Sequence, residues 1–155
     1  MKKVLIQGAF EILNWGHVKA FEFCKQHGDY LVVALNTDEL LRSYKNREPI
    51  LPWQQKKEII ESIKFVDEVV PASDFSPLEL LRTHQIDVYA LTDEWKHTKR
   101  EEMIHMQRKG GGMIFPPRFE GVVSTTEIRN RIIAEDKRYQ KTGEKPLKPG
   151  DYEPS

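Results

Sequence analysis

The chain has 155 residues, the size of a single domain. Its 24 basic and 24 acidic side chains cancel. That excludes a general binder of nucleic acid or another polyanion, which needs net positive charge, and leaves open a local basic site for one small anion. Hydrophobic residues make up 39%, enough for a core, and the lone Cys24 excludes an internal disulfide or a multi-cysteine zinc site.

The opening MKKVLIQGAF has too short an apolar stretch for a signal peptide or a membrane span. The expectation is a cytoplasmic protein with no membrane insertion. Val4-Leu5-Ile6 predicts a first strand ending at Gly8, and a helix follows over 17–27 with Val18, Phe21 and Cys24 on one face. Tyr30 to Leu35 (YLVVAL) is apolar without alternation, which predicts a strand covered on both faces. A connection of about a dozen residues comes next, holding or adjoining Lys45, Arg47, Lys56 and Lys57; long ordered loops often carry function. Ile60 and Ile63 mark a helix over 53–65, and Val69-Val70 a strand stopped by Pro71. Ser76-Pro77-Leu78-Glu79 combines a cap residue with a first-turn proline and opens a helix to about His84. Asp87 to Leu91 and Met113 to Phe115 supply two more strands, with a helix over 98–109 between them. Of the 21 residues from 135 to 155, ten are charged, three are Pro and two are Gly, which reads as an extended tail beyond a domain of residues 1–134.

This alternation predicts an α/β fold: a doubly wound, parallel, five-stranded sheet with helices on both faces and a C-terminal extended tail. Such sheets take ligands at the carboxyl ends of their strands, where the strand order reverses. Four stretches fall after strands. In GAFEILNWGH, Gly8 permits close backbone approach and a helix begins near His17, so Asn14 and His17 can donate to a phosphate at that helix start; the alternative is a tight turn capped by Asn14. In RFEGVVSTTEIRNR, Ser124 and Glu127 have capping-box spacing, and Arg118 lies nearby, which makes either a second anion site or simply a well-capped helix. In an α/β fold both stretches would face one cleft. The basic residues at 45–57 either neutralise phosphates or belong to a solvated loop. Thr92-Asp93-Glu94-Trp95 either receives a base and ribose or caps the next helix.

Taken together, these residues resemble glycerol-3-phosphate cytidylyltransferases of the HxGH nucleotidyltransferase superfamily. GAFEILNWGH is similar to the family opening GTFDxxHxGH, GDYLVVALNTDE to its second strand and turn, and FVDEVVP to its third strand. Ile86 to Trp95 is similar to a segment ending GDDW, and RFEGVVSTTEI to RTEGISTTxI. The resemblance runs collinearly from Met1 to about Ile133.

It implies a Rossmann-like fold and transfer of a nucleotidyl group, CMP from CTP, to a small phosphorylated acceptor such as glycerol 3-phosphate. Pyrophosphate is released, Mg²⁺ accompanies the phosphates, and the protein is a homodimer. By the same resemblance Gly8, Ala9, Phe10 and Glu11 lie against the triphosphate, and Asn14 and His17 occupy the two histidine positions. Lys45 and Arg47 match a mobile basic loop, with Lys56 at an arginine position. Asp93 and Glu94 adjoin base and ribose, while Arg118, Ser124 and Thr125 hold phosphates. Glu11 for Asp, Asn14 for His, Lys56 for Arg, Thr92 for Gly, Phe119 for Thr and one extra residue in RFEGVVSTT depart from the pattern. Their clustering on site motifs points to altered substrate or reduced catalysis. The alternatives are therefore a catalytically weakened, nucleotide-binding homologue acting as sensor or partner subunit, and an adenylyltransferase using ATP.

Overall fold

A computed structural model of the chain describes residues 1–92 and 97–144. In order these form β1 (Lys3–Gly8), α1 (Trp15–Lys25), β2 (Tyr30–Asn36), α2 (Asp38–Lys45), α3 (Trp53–Glu61), β3 (Glu68–Ala72), α4 (Leu78–Thr83), β4 (Val88–Ala90), α5 (Arg100–Arg108), β5 (Gly112–Ile114) and α6 (Thr125–Thr142). The five strands make one parallel sheet in the order β3-β2-β1-β4-β5. The order runs outward from β1 in one direction and then in the other, so the switch point lies between β1 and β4. The chain divides into a unit Met1–Val122 and a second unit from Val123 onward, where the sequence suggests a boundary after residue 134.

Strand β2 shows why its run of apolar residues does not alternate. Leu31, Val33 and Leu35 join Phe21, Cys24 and Ile60 on one face, and Val32 and Ala34 join Leu81, Ile86 and Met106 on the other. A strand with helices on both sides has no polar face. Pro71, expected to stop β3, lies inside it and pairs with Leu35. β3 is an edge strand and Pro71 is exposed, so its missing N–H costs no ladder bond.

Two further expectations are corrected. Residues 38–45 are not loop but α2: Thr37 Oγ1 accepts from Leu40 N at 3.2 Å, Asp38 and Glu39 occupy the first turn, and Leu40 and Leu41 are buried. Asn46 then ends the helix in the left-handed region (φ 51°). The segment read as an extended tail begins as helix, since α6 continues through Thr142 with Gly143 as its left-handed C-cap. Arg138 pairs with Glu135 one turn away, and Gln140 donates to Asp136, which lets a charged segment stay helical without a core.

The amino ends of the strands are closed by carboxylates. Asp29 accepts from Lys2 N (2.8 Å), Asp87 from Lys3 N (2.9 Å) and Asp67 from Leu31 N (2.7 Å). Those groups satisfy backbone donors of β1 and β2 and their neighbours, so the carboxyl ends are left to carry chemistry.

Candidate active site

β1 ends at Gly8, and the chain turns sharply at Phe10, whose φ of 46° lies in the left-handed region that a bulky residue rarely adopts. Packing holds it there. The Phe10 ring sits 5.2 Å from that of Phe21 and 5.3 Å, edge-on, from that of His17. It also covers Gly8 so closely that a Cβ at Gly8 would lie 2.9 Å from Phe10 Cζ. A side chain at Gly8 would therefore displace the Phe10 ring, and the strain at Phe10 is stored beside the sheet's carboxyl edge.

Next in the chain, Glu11 is only 7% exposed and gathers donors from three directions. Arg47 Nη1 donates at 2.8 Å, Ile50 N at 3.2 Å and Lys56 Nζ at 3.4 Å. Lys56, 0% exposed, also donates to the Ala9 carbonyl at 3.2 Å. One carboxylate thus ties the loop after β1 to the α2–α3 connection and to α3. A buried ion costs several kcal/mol of hydration, and only paired, hydrogen-bonded geometry offsets it. Glu11, Arg47 and Lys56 are accordingly brought together, with Arg47 held by Glu11.

Asn14 is the N-cap of α1. Its Oδ1 accepts from Gly16 N (2.9 Å), its Nδ2 donates to the Ile12 carbonyl (2.8 Å), and its own N–H donates to His17 Nδ1 (3.2 Å). This is a reciprocal capping box with histidine in the place usually taken by Glu or Gln. Because Nδ1 accepts, the ring proton sits on Nε2. Burial holds the His17 imidazole below its ordinary pKa, so it is neutral at pH 7. Asn14 is thus the cap of α1, and its N–H sets the tautomer of His17.

Arg118 is exposed in the segment after β5. That segment lies along α1: the Phe119 ring is 6.4 Å from Phe23, and a Cβ at Gly16 would lie 2.7 Å from Val122 Cγ1. Lys45 is exposed on the last turn of α2, with its ammonium 5.6 Å from the Tyr44 ring centre, and is not among the Glu11 partners. In the second unit Ser124 caps α6 by accepting from Glu127 N (3.1 Å), and Thr125 is its first residue. Asp93, Glu94 and Trp95 lie outside the described residues.

Sequence reading missed a second polar tie across the same edge. Gln7 Nε2 donates to Asn36 Oδ1 (2.9 Å) and to the Asp74 carbonyl (2.8 Å), joining the ends of β1, β2 and β3. Asn36 Nδ2 in turn donates to Tyr44 OH (3.3 Å), whose ring lies tilted against Phe75 at 4.7 Å. The available signal was an amide closing each of two otherwise apolar strands. Gln7 Oε1 remains enclosed without a donor.

The described residues assemble no all-protein cage for Mg²⁺. Among the described residues no three His, Cys, Asp or Glu side chains converge, and the carboxylate of the loop, Glu11, is already taken up by cationic and backbone donors.

The cytidylyltransferase-like family model matches residues 5–131. The chain is 38% identical over 133 residues to the glycerol-3-phosphate cytidylyltransferase of Bacillus subtilis (strain 168), covering 85% of this chain and 98% of that protein. It is 30% identical over 137 residues to the enzyme of the same name from Staphylococcus aureus, covering 88% and 98%. Over 90 residues it is 38% identical to the FAD synthase of Thermococcus kodakarensis, covering 57% of this chain and 60% of that one. Among solved structures, the lipopolysaccharide core biosynthesis protein of Thermoplasma volcanium shares the fold, with a TM-score of 0.67, 22% identity, and coverage of 77% and 99%.

Three outcomes test this geometry. Gly8→Ala pushes a methyl into the Phe10 ring and is expected to destabilise the protein by about 1–3 kcal/mol in urea unfolding. Lys56→Met leaves Glu11 buried with one cation fewer and is expected to cost about 3 kcal/mol in the same assay; a cost within error of zero means the pair contributes nothing. For His17, the unfolded state binds a proton near the ordinary value of 6.5 and the folded state only at lower pH. The stability it supplies is therefore complete above that value and declines as pH falls through the folded one. The urea midpoint should fall on acidification more steeply in the natural protein than in His17→Gln, which does not titrate.

Proposed function

This chain belongs to the cytidylyltransferase-like family, and from that premise we propose that it transfers a cytidylyl group from CTP to a small phosphorylated alcohol, glycerol 3-phosphate first, releasing pyrophosphate. That it is a nucleotidyltransferase follows from the family and from relatives named for that activity. The choice of CTP and of acceptor is our reading, and what favours it is the 38% identity to a glycerol-3-phosphate cytidylyltransferase along nearly its whole length.

An oxygen of the acceptor phosphate attacks the α-phosphorus of the nucleotide, the bond to the β-phosphate oxygen breaks, and pyrophosphate carries away the electron pair. No protein nucleophile is needed, so the chain's task is to place two anions and stabilise spreading charge. His17 is the central donor. The Asn14 N–H fixes Nδ1 as acceptor and leaves Nε2–H as the neutral donor toward a phosphate oxygen. The backbone of Gly8, Ala9 and Phe10 borders the triphosphate, in a shape kept by the Phe10 ring and by Lys56 on the Ala9 carbonyl. Arg47, partly exposed beyond its contact with Glu11, Lys45 and Arg118 supply positive charge. Ser124 and Thr125 offer hydroxyls and helix-start donors to phosphate, and Asp93 and Glu94 receive base and ribose. Mg²⁺ enters with the substrate, as the counter-ion of the triphosphate. The protein acts as a cytoplasmic homodimer.

A second reading is adenylyl transfer from ATP. It is favoured by the 38% identity over 90 residues to an FAD synthase, a protein named for making an adenine dinucleotide.

Pyrophosphate release, with each of the four nucleoside triphosphates crossed against phosphorylated acceptors, decides among these. We expect release that needs CTP together with one phosphorylated alcohol, and His17→Ala slower by at least about tenfold, or more than 1.4 kcal/mol of barrier. Release only with ATP selects the second reading. CTP binding by calorimetry without release under any condition would return the chain to a weakened, binding-only homologue.

A further inference from the structure

Tyr44 lies over the carboxyl end of β2 and is held there by a relay of amides. Asn36, the last residue of β2, is only 6% exposed, and its Nδ2 is 3.3 Å from Tyr44 OH. The oxygen of the same amide is 2.9 Å from Gln7 Nε2, at the end of β1. Gln7 Nε2 is in turn 2.8 Å from the Asp74 carbonyl, beyond β3.

These contacts fix the direction of each hydrogen bond in turn. A carbonyl only accepts, so the Gln7 atom beside Asp74 is the amide nitrogen. Its second hydrogen goes to Asn36, whose facing atom is therefore the oxygen. Asn36 then turns its own nitrogen to Tyr44 and donates. Turning over the Gln7 amide would set oxygen against oxygen, and turning over Asn36 alone would set nitrogen against nitrogen. The Tyr44 hydroxyl is thus an acceptor on its inner side, with its own hydrogen unspent. Among the described residues no acceptor takes that hydrogen, and Tyr44 is 36% exposed, so the donor is left for a ligand at this edge.

What surrounds the hydroxyl defines that ligand. The Tyr44 ring lies tilted against the exposed Phe75, 4.7 Å between centres, so the pair offers apolar surface to a carbon skeleton. Lys45 holds its ammonium 5.6 Å from the Tyr44 ring centre, within reach of a phosphate at one end of the same molecule. A phenolic donor, apolar rings and one cation match a phosphorylated alcohol with a further oxygen on its carbon chain. The groups proposed to hold the nucleotide follow β1, β4 and β5, whereas this cluster follows β2 and β3 and is placed for the second substrate. We propose that the Tyr44 hydroxyl selects the acceptor by donating to a chain hydroxyl of a phosphorylated polyol. Gln7 and Asn36 are positioning residues that keep its hydrogen free for that bond. This rests on the reading of the chain as a transferase to a phosphorylated alcohol and adds the residue that reads the alcohol.

Steady-state pyrophosphate release tests it on the full chain, with CTP and glycerol 3-phosphate or its deoxy analogues, 2-hydroxypropyl phosphate and 3-hydroxypropyl phosphate. Each analogue lacks one of the two chain hydroxyls. Tyr44→Phe removes only the donor and is expected to raise the KM for glycerol 3-phosphate about tenfold, with kcat and the KM for CTP unchanged. With the analogue that lacks the hydroxyl read by Tyr44, natural protein and variant should share one KM. Asn36→Asp keeps the Tyr44 ring but faces it with an acceptor oxygen, which draws the phenolic hydrogen inward. It should repeat the Tyr44→Phe pattern, the loss vanishing with the same analogue. Circular dichroism melts check that both variants are folded. An active natural protein whose Tyr44→Phe variant keeps its KM for glycerol 3-phosphate within about twofold overturns the proposal. So does a loss equally large with both analogues, which is what a merely structural role would give, and so does a KM for CTP that rises in step. A natural protein that releases no pyrophosphate with any acceptor overturns the transferase reading, and this inference with it.

Discussion

The carboxyl edge of this sheet depends on a buried carboxylate. Glu11 accepts from Arg47, Ile50 N and Lys56, and through them it joins three segments that are distant in sequence: the loop after β1, the α2–α3 connection and α3. Were Glu11 to lose these donors, an anion would be stranded among apolar neighbours, at a cost that exceeds most single contacts. Lys56 reaches further, to the Ala9 carbonyl, so the ion pair also sets the path of the backbone that borders the proposed triphosphate. Glu11 and Lys56 are thus in contact with one another.

The same edge stores strain and relieves it by packing. Phe10 takes a left-handed φ because its ring fills the space over Gly8 and wedges against Phe21 and His17. His17 is then fixed twice, by the Phe10 ring and by the Asn14 N–H at Nδ1. Asn14 therefore has a structural task, which is to cap α1 and present His17 as a neutral donor. Meanwhile Asp29, Asp67 and Asp87 satisfy backbone donors at the opposite edge. The division of labour follows from a parallel sheet, whose two edges are chemically unlike.

Much of this was legible in the residues. The strand runs, the five-fold alternation and the two-faced burial of β2 follow from apolar periodicity, because a sheet covered on both sides admits no polar face. The cap at Ser124 and the helix start after Asn14 follow from local hydrogen-bonding chemistry. Helix α2 is legible too, in Thr37 followed by two acids and a closing Asn46, although the basic residues at 45–57 give that stretch the composition of a loop. The distal half of α6 was hidden by composition, since charge-rich sequence with Pro and Gly downstream resembles a tail even where i, i+3 and i, i+4 pairs support a helix.

What the sequence determined by itself is whatever depends on near neighbours: element type, caps, the apolar faces, and the collinear motifs that carry the family. Only the tertiary structure decided that Arg47 and Lys56 share Glu11, that Gln7 bridges Asn36 and the Asp74 carbonyl, and that the Phe10 ring closes over Gly8. These contacts join residues between two and 67 positions apart, and a side chain's partner at such range depends on how strands are ordered in the sheet. Periodicity says which face a residue occupies; it carries no record of which other segment will be folded against that face.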